Sequence, residues 1–106
     1  DVASAVRFIR NHACEAIGVA AVLEAVATSR RSLERRFRKF LGRGVGEEIR
    51  RVRIERARTL LANTETSIAQ VASNSGFSEP KHFSTAFRRE CGTTPTEYRR
   101  QSRISS

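Results

Sequence analysis

Apolar residues recur along this chain at the spacing of an α-helix, and no stretch alternates as a half-buried strand does. Residues that start and stop helices divide the pattern into about seven segments. The first covers about Ala3 to Cys14. Val2, Val6, Ile9 and Ala13 form its apolar stripe, and Asp1 is placed to cap it. A short second helix covers about Val19 to Val26, with Val19, Val22, Leu23 and Val26 apolar. After an Ala27-Thr28 turn, Ser29 caps a third helix, which ends before Gly42, a residue suited to the left-handed C-terminal position.

The fourth helix is long, about Val45 to Ala62, with Glu47 and Glu48 at its electropositive start. Ile49, Val52, Ala57, Leu60 and Leu61, with Ile54 to one side, cover an arc wider than one stripe, as expected of a helix buried between two lobes. Asn63 to Thr66 is a polar break. Ser67-Ile68-Ala69-Gln70 reads as a capping box opening a fifth helix that stops at Gly76. Ser78 is placed to cap a sixth, with Pro80 in its first turn and Gly92 at its end. Thr94-Pro95-Thr96-Glu97 opens the seventh with Thr as cap, Pro first and Glu third. Gln101 to Ser106 has little to bury and is expected to fray.

The pattern repeats at an offset of fifty: Leu33 with Phe83, Phe37 with Phe87, Leu41 with Cys91, Gly42 with Gly92. Upstream, Val19, Val22 and Ser29 match Ile68, Val71 and Ser78 at forty-nine, so the second copy carries one extra residue near its helix start. Each copy reads short helix, small-residue turn, longer helix. That is the helix-turn-helix pattern, whose second helix enters the DNA major groove. The expected fold is all-α: one domain over 1–106, with a first helix-turn-helix lobe at 1–43, a linker helix at 44–62 and a second lobe at 63–106.

Placed at ~100° per residue, Leu33, Phe37, Phe40 and Leu41 share the core side of the third helix. Arg31, Arg35, Arg38 and Lys39 lie opposite, with Glu34 at the border. In the sixth helix Phe83, Ala86, Phe87 and Cys91 take the core side. Lys81, Thr85, Arg88 and Arg89 face away, flanked by His82 and Ser84. A single charged face is ordinarily a solvated face of mixed sign. Two copies nearly free of acids, each in a helix-turn-helix frame, point instead to a polyanion.

Charge supports this. Twenty Lys and Arg against 11 Asp and Glu leave a formal +9, which attracts nucleic acid or an anionic membrane. Only Lys39 and Lys81 are lysines. A GC-rich genome accounts for part of that arginine bias but not for the net charge. Cys14, Cys91, His12 and His82 are scattered without ligand spacing, so no zinc site, and no other metal or cofactor, is expected. No disulfide framework, secretory signal or membrane-spanning apolar run is visible, which points to a reducing cytoplasm.

At these residues the chain resembles the AraC/XylS family of bacterial transcription regulators. The second half carries Ile68-Ala69, Gly76-Phe77, Phe83, Phe87, Gly92, Thr94-Pro95 and Tyr98-Arg99, in the order of that family's signature. The first half matches through Ser29, Leu33, Phe37, Gly42 and the run Arg50 to Ala57 leading to Leu60-Leu61. Within the family, Arg7-Phe8-Ile9-Arg10, His12-Ala13, Ser29-Arg30-Arg31 and Leu33 to Arg38 resemble the xylose-operon regulators. The resemblance implies a double-stranded DNA operator as partner, a sugar-sensing N-terminal domain outside this stretch, and contact with RNA polymerase on a surface the sequence does not mark.

The family's base-reading positions fall on Arg31, Glu34 and Arg35 in the first reading helix, and on Pro80, Lys81, His82 and Thr85 in the second. His82 stands where Tyr is common and Thr85 where Arg is common; Pro80 offers only apolar contact, as to a thymine methyl. The first helix is therefore expected to dominate affinity. Arg31 and Arg35 suit guanine O6/N7, with phosphate contact or plain solvation as the alternative. Glu34 suits cytosine N4 or a pair with Arg30 or Arg38 on its own helix. Arg30 and Ser32, near the helix start and its amide donors, suit phosphate, as do Arg38, Lys39, Arg88 and Arg89. The arginines of the fourth helix (Arg50, Arg51, Arg53, Arg56, Arg58) suit structural roles, bridging the lobes or pairing with Glu47, Glu48 and Glu55.

Other classes fit less well. Gly42-Arg43-Gly44-Val45-Gly46 lacks the preceding strand and the spacing of a phosphate-binding loop, and no catalytic arrangement is visible, so no enzyme is expected. A membrane-surface helix would need an unburied apolar face. Non-specific or architectural nucleic-acid binding is the remaining alternative. The linker helix, at about 27 Å, falls short of the ~34 Å between successive major-groove faces. The DNA is then expected to bend, or one helix to dock less fully.

Overall fold

The computed structural model describes residues 2–15 and 18–104. These form seven helices and no strand: α1 (Val2–His12), α2 (Val19–Val26), α3 (Arg30–Leu41), α4 (Val45–Asn63), α5 (Ile68–Asn74), α6 (Pro80–Cys91) and α7 (Pro95–Ile104). The Asp1 cap expected for α1 lies outside the described residues. α1 stops at His12, two residues early, because Ala13 and Cys14 turn away and Glu15 N–H closes on the His12 carbonyl at 3.0 Å.

The helix ends follow the local chemistry with two exceptions. Ser29 Oγ accepts the Ser32 amide at 3.2 Å, and Thr94 Oγ1 accepts that of Glu97 at 3.2 Å. Gly42 and Gly92 close α3 and α6 at φ 73° and 75°. At α5, Ser67 Oγ accepts the Gln70 amide, but the Gln70 side chain donates to Asn74 Oδ1 at 2.9 Å, so that bond forms in place of the box's expected return bond. At α6 the cap is Glu79, not Ser78, and it supplies no side-chain bond.

The misplaced cap follows from the register of the repeat. A left-handed residue follows each of α2 and α5: Ala27 (φ 50°) directly after α2, and Gly76 (φ 94°) after the Ser75 cap of α5. The next N–H, of Thr28 or Phe77, reaches back to Leu23 O (3.3 Å) or Ala72 O (3.0 Å), the six-to-one bond of a Schellman turn. Ser29 follows Thr28 directly as a cap. In the second copy Ser78 intervenes, so Ser78 is the extra residue and the cap moves on to Glu79.

Two apolar clusters build the core. Ala5, Ile9, Val22, Leu33, Phe37, Val45 and Ile49 pack in the first. Ile54, Ala57, Leu61, Val71, Phe83 and Phe87 pack in the second, extended by Phe77 and Tyr98. The repeat positions Leu33 and Phe83, Phe37 and Phe87, and Val22 and Val71 are all buried. α4 contributes to both clusters, Val45 and Ile49 from one end and Ile54 to Leu61 from the other, which explains its wide apolar arc.

Phe40 departs from its expected core place: it is 67% exposed. It edges an open groove between α1 and α3 with Val2, Val6 and Leu41, and Lys39 Nζ lies 5.6 Å from its ring centroid. Leu41, in the same last turn, still packs on the first core, so Phe40 lies at the edge of that core and not within it. The expected fraying after Gln101 is also corrected. α7 remains helical to Ile104, because Arg103 donates to the Thr64 carbonyl at 2.7 Å and pairs with Glu65, while Ser102 Oγ bonds Tyr98 O.

Candidate nucleic-acid interface

α3 and α6 are the second helices of the two repeats and have the same length, 12 residues. Each buries two large side chains, Leu33 with Phe37 and Phe83 with Phe87, and these fix which face points outward. On α3, Arg30, Arg31, Arg35, Arg38 and Lys39 are exposed and Ser32 is half-buried. On α6, Pro80, Lys81, His82, Thr85, Arg88 and Arg89 are exposed. The structure thus brings each set of sequence-predicted contact residues together on the outward side of one helix. Glu34 is the exception: it is half-buried, and its Oε1 accepts the Val45 amide at 3.2 Å.

The two faces differ in charge. α3 carries six cations and the single acid Glu34, which is turned toward α4. α6 carries three cations, with Glu90 in its last turn and Glu79 at its cap, 3.7 Å from His82 Nε2. An anionic partner meets the stronger field at α3. Arg38 is held by Glu47 at 3.1 Å, but both partners are about half exposed or more (63% and 47%), so a phosphate can displace that pair at little cost.

Other arginines, exposed or half-buried, bond acids and helix-end carbonyls of the fold itself. Arg51 and Arg43 both bond Glu48, which is only 3% exposed, at 3.0 and 2.8 Å. Arg58 bonds Glu55 at 3.0 Å and lies against the Tyr98 ring. Arg99 Nε donates to the Leu61 carbonyl at 3.1 Å and, with Arg103, satisfies the C-terminal end of α4, where carbonyls lack partners within the helix. The roles of Arg43, Arg99 and Arg103 are not encoded in the helical pattern, because their partners lie on other elements and two of them are backbone carbonyls; Arg99 is marked only through the family resemblance. Among the described residues, no group of three or more His, Cys, Asp or Glu could hold a metal ion, and no helix is long and apolar enough to cross a membrane.

Two short-helix, turn, long-helix units on one connecting helix, each presenting a basic outward helix, define a double helix-turn-helix DNA reader. Comparison with known proteins agrees. The family described as helix-turn-helix domain matches residues 22–101. The chain is 40% identical over 98 residues to the xylose operon regulatory protein of Escherichia coli (strain K12), covering 92% of this chain and 25% of that protein. The DNA-binding domain of AdpA, a global transcriptional factor solved with a target DNA, superposes with a TM-score of 0.92 at 30% identity, covering 98% of this chain and 94% of that one. The xylose-binding transcription activator xylR superposes at 0.78 and 40% identity, covering 90% of this chain and 25% of that one.

The chain belongs to the AraC-type helix-turn-helix family of sequence-specific DNA-binding domains of transcription regulators. That family is one of DNA-binding domains, not of enzymes. The chain spans about a quarter of the length of the xylose operon regulatory proteins that it matches.

Proposed function

We propose that this domain reads a bipartite operator, with α3 and α6 in successive major-groove segments on one side of the duplex, as the DNA-reading part of a sugar-responsive regulator of the xylose-operon type. The observation that carries this is the pair of equal-length basic helices at matching positions of the repeat, joined by one continuous helix. In this reading Arg31 and Arg35 contact base edges from α3, and Lys81, His82 and Thr85 contact them from α6, with Pro80 against a methyl group. Arg30, Ser32, Arg38, Lys39, Arg88 and Arg89 hold phosphates. The division into reading lobes at 1–43 and 63–106 on a linker at 44–62 belongs to the same proposal. So do an effector-binding domain in the full-length protein, contact with RNA polymerase, and residence on cytoplasmic DNA.

α4, with 19 residues, is about 28 Å long, still short of the ~34 Å between groove faces. The proposal therefore includes a bend in the DNA or shallower docking of α6, whose face is less basic. Selection of the domain on a random duplex library at moderate salt tests the reading. Two short motifs about one helical turn apart support it. Salt-sensitive binding with no enriched motif overturns it in favour of architectural binding, in which phosphates supply all the affinity.

A further inference from the structure

We infer that Arg53 and Gly76 form a lock that fixes the two reading helices relative to each other, and so determines which half-site spacing this domain accepts. The inference rests on the bipartite reading above and assigns positioning residues for it.

Arg53 lies in α4 between Val52, which packs on the first core, and Ile54, which belongs to the second. Its guanidinium leaves α4 for the end of α1. Nε donates to the Ala13 carbonyl at 2.6 Å and the Nη2 amino group to the Glu15 carbonyl at 3.3 Å. Carbonyls just past a helix have no partner within it, and a cation there also meets the negative end of the dipole. The same guanidinium lies 5.9 Å from the ring centroid of Phe77, in the turn between α5 and α6. One side chain thereby touches the first lobe, the linker and the second lobe.

Gly76 closes the same junction from the other side. A Cβ at this position would stand 2.7 Å from the Ala13 carbonyl oxygen, 2.8 Å from Arg53 Nε and 3.0 Å from Cys14 Cα, and the backbone is at φ +94°. Two of those three neighbours are backbone, so they yield only if the lobes separate. The turn of the second helix-turn-helix thus rests directly on the end of α1, and α6 begins four residues further on, at Pro80. A lysine is not equivalent to Arg53, because its single flexible ammonium lacks the rigid planar fork with which the guanidinium bonds both carbonyls beside the Phe77 ring.

The lock matters because α4 alone is a weak ruler. A hinge of about 10° at its middle moves its far end by about 2 Å over half its length, most of the ~3.4 Å rise of one base pair. Contacts on both sides of the hinge remove that freedom.

The test uses duplexes carrying the two selected motifs at the native spacing and with one base pair inserted or removed. The native chain is expected to lose about tenfold or more in affinity at the altered spacings. Arg53→Ala and Gly76→Ala are expected to flatten this to about twofold or threefold while each motif keeps its own base preference. Equal loss at every spacing overturns the lock and leaves Arg53 merely structural. Because these variants are open to folding defects, Arg53→Lys is also measured, without DNA, by the distance between spin labels at the exposed positions Ala20 on α2 and Ser84 on α6. A broadened or shifted distribution supports the lock, even if selection shows no bipartite site and the functional reading falls. An unchanged distribution overturns the lock whatever the DNA results.

Discussion

The carboxylate of Glu34, on α3, accepts the backbone amide of Val45, the first residue of α4, at 3.2 Å. Gly44 is the cap of α4 and has no side chain to offer, so the cap is borrowed from the preceding helix. Glu47 completes the arrangement by accepting the Gly44 amide at 3.2 Å. The bond ties the reading helix of the first lobe to the start of the linker. Glu34→Ala is expected to cost about 1 kcal/mol of stability, the usual loss for a helix cap. Glu34→Gln should recover part of it, because the amide oxygen still accepts although the charge at the helix N-terminus is lost. Urea denaturation of the three chains measures both. Unchanged stability in Glu34→Ala, with altered preference at a single base pair, would return Glu34 to the role of base reader.

Arg35 and Arg88 should separate by the kind of binding they lose. Arg35 is exposed in the middle of α3, which the proposed docking turns toward the groove floor. Arg88 is exposed near the C-terminal end of α6. Arg35→Ala is expected to cost about 1–3 kcal/mol on the selected operator and to relax one base position. Arg88→Ala should weaken all sequences alike and lower the slope of log affinity against log salt by about 1. Titrations on operator and scrambled duplex at several salt concentrations distinguish the two. Equal loss on every sequence for Arg35→Ala would place it on phosphate.

Helix number, the repeat and the wide arc of α4 follow from period and caps, and the structure places Leu33, Phe37, Phe83 and Phe87 in the core as their spacing requires. Phe40 does not follow, because helical phase gives the side of α3 it occupies but not how closely α1 packs there, and Val2 and Val6 leave an open groove beside it. The cap at Glu79 is hidden because Ser78 is the better capping residue by type, and only the geometry of the preceding turn moves the boundary. Arg53 was recognisable as a bridging candidate, but its target is a backbone carbonyl 40 residues away, which no side-chain pattern encodes.

Glu48 supplies a prediction on acid stability. It is 3% exposed and bonded by Arg51 and Arg43. Burial works to raise its pKa, but the hydrogen bonds and charges of Arg51 and Arg43 outweigh burial and hold it below the ordinary carboxylate value. A carboxylate depressed in the folded state stabilises fully above its unfolded pKa, about 4.3. That stabilisation is lost as pH falls through the folded value. The native chain should therefore lose more stability between about pH 6 and about pH 3 than Glu48→Gln does. At neutral pH, Glu48→Gln should cost about 1–3 kcal/mol. That is less than breaking a fully buried pair, because Arg43 and Arg51 are partly exposed. Parallel pH profiles of the two variants would contradict this account.

Ala27 offers the opposite case, a site where the native residue is not the most stable one. It holds φ 50° and ψ 50°, a left-handed conformation that crowds an L side chain against its own carbonyl. Its counterpart in the second repeat is Gly76, which has no Cβ to crowd. The side chain of Ala27 is exposed, so removing it forfeits little packing. Ala27→Gly relieves about 1 kcal/mol of strain against a smaller entropic cost in the unfolded chain. The net expectation is a gain of about 0.5 kcal/mol and a rise of a few degrees in Tm. DNA affinity should not change, because the Schellman bond from Thr28 to Leu23 keeps α3 at the same angle. A lower Tm would mean that the turn is not strained by Ala27. An unchanged Tm with weaker binding would mean that the methyl group stiffens the approach of α3 to its partner.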